Sequence, residues 1–189
     1  MHRRKLLKLL EEYSDRHPDE LDTVERFQSF VNEQERCFER DCWAGHITGS
    51  AWLVDPEQSS ILLTHHKKLE IWVQLGGHSD GDPDTPNVAF KEATEESGLD
   101  VSCLSEHIFD LDIHEIPARK DDPAHYHYDV RFAFVAKTRD YTVSEESHDL
   151  SWIQINDLER VTREESMLRM KRKWLSQTSP TANSALDCK

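Results

Sequence analysis

The sequence predicts an α/β sandwich with an N-terminal helical extension. From residue 46 onward, short β-branched or aromatic runs recur between turn signals. A single helix with clear start and stop residues interrupts those runs. Apolar residues recur at helical spacing near both ends of the chain. Strand, helix, strand alternation is the signature of a layered α/β domain. A length of 189 residues suits one such domain with an appendage.

The first forty residues read as helical. Leu6, Leu7 and Leu10 share one side of a short helix, and Pro18 opens a second whose Leu21, Val24, Phe27, Phe30 and Val31 recur at helical spacing. Residues 1–40 are therefore expected to form a covering layer on a main domain spanning 41–177. Within that domain 47–54, 61–64 and 71–75 read as strands, divided by Asp55-Pro56 and by residues 65–69. A Gly- and Asp-rich loop over 76–84 leads into a helix at 86–97. Thr85 is its expected N-cap, Pro86 its first residue and Gly98 its stop. Beyond it, 101–113 and 125–136 are extended, 150–155 is a last strand and 162–174 a terminal helix. Residues 178–189 are polar and expected to fray.

Composition narrows the function. The net charge of −14 repels a nucleic-acid polymer and an anionic membrane alike, while it attracts divalent cations. No apolar stretch approaches the roughly 20 residues that span a bilayer. Residues 1–12 lack the long apolar segment of a secretory signal, so a cytoplasmic protein is expected. Cys37, Cys42, Cys103 and Cys188 form no C-x-x-C pair, which speaks against a zinc knuckle or a redox dithiol.

The helix at 86–97 carries Glu92, Glu95 and Glu96 at i, i+3 and i+4, three carboxylates on one face. Like charges at this spacing cost about 0.2–0.5 kcal/mol per pair, a cost that a dication between them removes. Hard oxygen ligands suit Mg²⁺ or Mn²⁺. Ala89, Phe90 and Ala93 give the opposite side a thin apolar stripe, small enough to sit close to a sheet. The preceding Gly76-Gly77 permits close backbone approach and exposes amides of the kind that cradle phosphate.

Residues 77–99, GHSDGDPDTPNVAFKEATEESGL, resemble the Nudix box, G-x5-E-x7-R-E-U-x-E-E-x-G-U with U aliphatic. Gly77, Glu92, Glu95, Glu96, Gly98 and Leu99 match without a gap; Pro83 stands in place of the first glutamate and Lys91 in place of the arginine. Residues 62–77 are similar to the strand, loop and strand that commonly precede the box, and 150–158 to its Trp-containing final strand. The resemblance covers roughly residues 46–160. It implies a Nudix-type α/β/α sandwich with a mixed β-sheet and hydrolysis of a diphosphate bond with Mg²⁺ or Mn²⁺ as cofactor. The substrate would be a nucleoside diphosphate derivative or a related small phosphorylated compound.

The same resemblance implies the roles. Glu92, Glu95 and Glu96 are the expected metal ligands, with Glu95 also a candidate base. A further acidic residue before the last strand, Glu145 with Glu146 beside it, would supply a base or another ligand. Gly76, Gly77 and His78 are expected at the substrate. The replaced positions mainly pin loop to helix in the family, and lysine keeps the charge of arginine without its bidentate fork.

The run 125–134, HYHYDVRFAF, alternates, with His125, His127, Asp129 and Arg131 on one face. His-x-His hints at zinc, but the spacing names no fourth ligand. Should this strand line the cleft, Arg131 and the histidines become substrate contacts; otherwise they form the wet side of a sheet. A catalytically silent ligand-sensing module on the same fold is the alternative, and retention of all three glutamates favours catalysis over it. An isoprenoid diphosphate isomerase and an adaptor have less support. The helical N-terminal segment offers a surface for a homodimer.

Overall fold

The computed structural model describes residues 2–66, 71–119, 122–142 and 149–178. The chain opens with α1 (Arg4–Arg16) and α2 (Leu21–Glu33). Four strands follow, β1 (His46–Val54), β2 (Ser60–His66), β3 (Ile71–Val73) and β4 (Leu75–His78), and then α3 (Thr85–Ser97). Next come β5 (Val101–Cys103), β6 (Asp110–Ile116), β7 (His125–Ala136), β8 (Leu150–Gln154) and α4 (Glu165–Thr178).

Strand β1 is buried at every position because both its edges and both its faces are covered. Along one edge it runs parallel to β7, with His46 beside His127 and Val54 beside Val135. Along the other it pairs antiparallel with β4 and β2. The remaining strands attach antiparallel, β5 and β6 to β7, and β3 and β8 to β2, completing a mixed eight-stranded sheet.

Helices cover both faces. On one, α1, α2 and α3 bury Leu6, Leu10, Phe27 and Ala89 against Ile47, Ala51, Val130 and Phe132. Phe30 stacks on Tyr128 at a ring-centroid distance of 3.9 Å, which seats α2 on β7. On the other face, α4 packs Met167, Met170 and Trp174 over Trp52, Val54 and Ile61. No helix among the described residues is long and apolar enough to cross a membrane.

Four details differ from the sequence reading. The glycine-rich segment begins as strand β4, paired with β1, before it becomes a loop. Residues 101–113 form two strands broken by a loop, not one run. The cap of α3 is Asp84, whose carboxylate accepts from Asn87 N–H, and Thr85 is the first helical residue. Phe90 is exposed, so Val88, Ala89 and Ala93 make the packed stripe.

The second half of β7 holds a buried charge cluster. Arg131 is only 2% exposed, and it meets Asp129 at 2.7 Å, Asp110 at 3.0 Å and Asp112 at 3.3 Å. Arg169 of α4 reaches Asp110 and Asp112, and Lys173 joins Asp110 to Glu20 at 2.6 Å each. The cluster therefore ties the sheet to α4 and to the N-terminal segment. Burial alone would raise the pKa of both Asp110 and Asp112. Arg169, Arg131 and Lys173 outweigh it at Asp110, and His114, Arg131 and Arg169 do so at Asp112, so both carboxyls fall below their ordinary range.

Replacing Arg131 by Met leaves buried carboxylates uncompensated and is expected to cost about 3–5 kcal/mol at pH 7 in urea unfolding. A depressed carboxyl contributes stability that is complete above its unfolded pKa of about 4 and is lost as pH falls through the folded value. The gap between the wild type and R131M therefore narrows on acidification below about pH 4. A gap under about 0.5 kcal/mol at pH 7 contradicts this assignment.

Candidate active site

Helix α3 is placed by its ends. Asp84 caps the start, Gly98 closes the end at φ 65°, and the Gly98 N–H donates to Thr94 O at 2.8 Å. The small buried side chains Ala89 and Ala93 let it lie close over β1 and β4. This brings Glu92 and Glu96 over the glycine pair, while Glu95 remains exposed on the same helix.

Space is tight on both faces of β4, against Ser50 and its backbone for Gly76 and against the movable end of Glu92 for Gly77. A Cβ on Gly77 would sit 2.5 Å from the carboxyl carbon of Glu92, and one on Gly76 would sit 2.2 Å from Ser50 Oγ. Glu96 Oε1 accepts from the Gly76 N–H at 2.9 Å. Two carboxylates thus converge on a bare stretch of backbone, an all-oxygen donor set that fits Mg²⁺ or Mn²⁺. Gly76 holds Glu96 through its amide.

The loop before α3 is pinned despite its two departures from the box. Asp82, the neighbour of Pro83, accepts from Asp84 N–H at 2.9 Å and from Asn87 Nδ2 at 3.0 Å, and pairs with Lys91 at 3.4 Å. The Asp84 amide, then Asn87 and Lys91, hold the Asp82 carboxyl below its usual range. Lys5 of α1 reaches Asp84 at 2.6 Å. Arg40 clasps Asp80 through two hydrogen bonds of 2.9 and 2.7 Å, and it lies close enough to Glu92 for their charges to interact. The N-terminal segment therefore braces the loop, and Arg40 adds a cation beside the glutamates. Sequence spacing gave no sign of Arg40, which lies outside the box.

Arg131 does not reach this site. The buried Asp110 and Asp129 and the half-buried Asp112 take up its guanidinium, so its charge is matched inside the protein and it is no longer a candidate for contacting substrate. The face of β7 that it shares is not wet either: Asp129 is buried and accepts from Thr48, Ser50, Gln74 and Arg131. Gly76 faces Ser50 on that side, opposite the side on which Gly77 faces Glu92. His78, alternating with Gly76, also lies there, and its ring neighbours those of His46 and His127. Glu145 and Glu146 lie outside the described residues. A groove of about 600 Å³ lined by Arg4, Leu7, Lys8, Glu11, Gln28 and Asn32 belongs to the extension and shares no residue with the box.

Solved structures with this architecture bear on the reading. A NUDIX-family hydrolase from Clostridium perfringens is similar over 68% of this chain and 95% of its own, at 24% identity and a TM-score of 0.53. The MutT protein of Methanosarcina mazei covers 71% of this chain and 96% of its own at 13% identity and a TM-score of 0.53. The chain has the Nudix fold. An Ap4A hydrolase of C. elegans shares that fold over 69% of this chain and 95% of its own, at 15% identity and a TM-score of 0.50. No family model matches the sequence, and no curated protein does. On the Nudix fold described here, β4 and α3 carry the glycine pair and the glutamates, and α1 reaches the loop before α3 through Lys5.

The two glycines separate structure from site. Gly77→Ala meets the flexible end of Glu92, which swings aside. It is expected to hold the melting temperature within about 3 °C while weakening Mn²⁺ binding at least about tenfold. Gly76→Ala meets Ser50, including its Cα at 2.9 Å, and is expected to lose about 1–3 kcal/mol of stability. Thermal melts with Mn²⁺ titration check both; unchanged Mn²⁺ affinity in G77A contradicts the placement of Glu92 at the site.

Proposed function

We propose that this chain hydrolyses a diphosphate bond in a small phosphorylated compound, a nucleoside diphosphate derivative or a relative of one, with Mg²⁺ or Mn²⁺ as cofactor. The observation that carries the reading is the convergence of Glu92 and Glu96 on the Gly76-Gly77 backbone. Glu92 and Glu96 would hold the ion, and Glu95, exposed one turn along α3, would serve as a further ligand only after its side chain turns toward them. When bound, the dication offsets the negative charge of the diphosphate and acidifies nearby water.

The chain's own residues do the rest. Water adds to one phosphorus, the bridging P–O bond breaks, and a carboxylate takes the proton, with Glu95 and Glu145 the candidates. Gly76 keeps Glu96 aimed through its amide, and Gly77 leaves room for the Glu92 carboxylate. Asp82 and Lys91 fix the loop that leads into the helix.

The test is a panel of ADP-ribose, dinucleoside polyphosphates, nucleotide sugars, nucleoside triphosphates and coenzyme A, assayed with Mg²⁺ and Mn²⁺. At least one member should be cleaved, and Glu96→Gln should lower its turnover at least about a hundredfold with the fold retained, since several kcal/mol of transition-state charge stabilisation are lost. Cleavage that survives in both E92Q and E96Q would refute the assignment.

A further inference from the structure

One end of the sheet, on the face away from α3, gathers five histidines from four strands. His46 opens β1, His78 ends β4, His125 and His127 open β7, and His114 lies on β6 opposite His127. Their rings stand 4.7–5.4 Å apart from centroid to centroid in the pairs His46–His127, His46–His125, His46–His78, His78–His127, His125–His127 and His114–His127. One nitrogen from each of His46, His125 and His127 lies within 4.8 Å of the other two.

Hydrogen bonding leaves this cluster incomplete. His46 is 1% exposed and neither of its ring nitrogens finds a partner of good geometry; His127 Nε2 is likewise buried and unpaired. Buried polar atoms left this way cost about 1–3 kcal/mol each, so a residue set that keeps several needs a reason. Two rings are oriented in the manner of metal ligands. His125 Nδ1 lies 2.9 Å from the Pro123 carbonyl, and His114 Nδ1 lies 3.1 Å from Asp112 Oδ2, which leaves Nε2 of each turned to other uses.

We propose that His46, His125 and His127, with His78 as the fourth, form a tetrahedral site for a borderline transition metal of the Zn²⁺ class, separate from the glutamate site. Nitrogens around a tetrahedral zinc with bonds of about 2.0 Å are about 3.3 Å apart, so the rings of His46, His125 and His127, with nitrogens now within 4.8 Å of one another, must rotate inward and His78, outside that trio, must turn further. Imidazole donors suit Zn²⁺, whereas the carboxylates across β4 also suit Mg²⁺ or Mn²⁺. Burial first, then the neighbouring rings, lowers the pKa of His46 to about 4 and of His127 to about 2. Such an ion would clamp the ends of β1, β4 and β7 and so fix the strand that carries the glycine pair. Sequence spacing showed only the His125-x-His127 pair, because the other ligands lie as far as 81 positions away, as His46 does from His127.

The experiment uses tag-free full-length chain, stripped with chelator and titrated with Zn²⁺ and with Co²⁺ as a spectroscopic probe. The site predicts one Zn²⁺ per chain, a rise in melting temperature on binding, and the intense visible absorption of tetrahedral Co²⁺. His127→Gln and His125→Gln should each weaken Zn²⁺ binding at least about a hundredfold. E92Q/E96Q should bind Zn²⁺ as the wild type does, which separates this inference from the proposed hydrolase. Absence of tetrahedral Co²⁺ bands in the wild type overturns the proposal even where a histidine variant fails to fold. So does equal Zn²⁺ affinity in the folded histidine variants, or loss of Zn²⁺ binding in E92Q/E96Q.

Discussion

Two adjacent residues without side chains set the geometry of this molecule. Gly76 and Gly77 allow β4 to run between Ser50 on one face and the Glu92 carboxylate on the other; a Cβ on Gly76 would collide with Ser50, and one on Gly77 would push the Glu92 carboxylate aside. That close approach lets the Gly76 amide donate to Glu96 and brings α3 down on the sheet. The alanines of α3, its Asp84 cap and its Gly98 stop serve the same end, because each fixes where the glutamates emerge.

Local chemistry made much of this legible. The α3 stop, the glutamate spacing and the alternation of β7 depend on residues a few positions apart, and the fold follows the expectation drawn from them. What escaped the sequence depends on distant pairs. The strand character of Leu75–His78 comes from pairing with β1, not from propensity, since glycine is a poor strand former. The polar face of β7 reads as wet, yet Thr48 and Ser50 of β1 and Gln74 between β3 and β4 cover Asp129, and carboxylates from β6 help enclose Arg131. Alternation says which residues share a face, but not what is laid over it.

The departures from the box show how a motif can change while its mechanical job persists. Pro83 cannot accept a hydrogen bond through its side chain, and Lys91 offers a single point charge. Asp82 takes over by binding a backbone amide, Asn87 and Lys91 together, and Arg40 and Lys5 add ties from the N-terminal segment to Asp80 and Asp84. These outer pairs are exposed, so each contributes little alone. Their value lies in limiting the loop's freedom beside the glutamates.

The central claim is that Glu92 and Glu96 share a dication beside the glycine pair, and a crystal soaked with Mn²⁺ and a non-hydrolysable diphosphate tests it most directly. The account predicts an anomalous peak about 2.0–2.2 Å from carboxylate oxygens of both residues, with the diphosphate against it. Density for Mn²⁺ elsewhere only, with Glu92 and Glu96 turned away from the ligand, would contradict it.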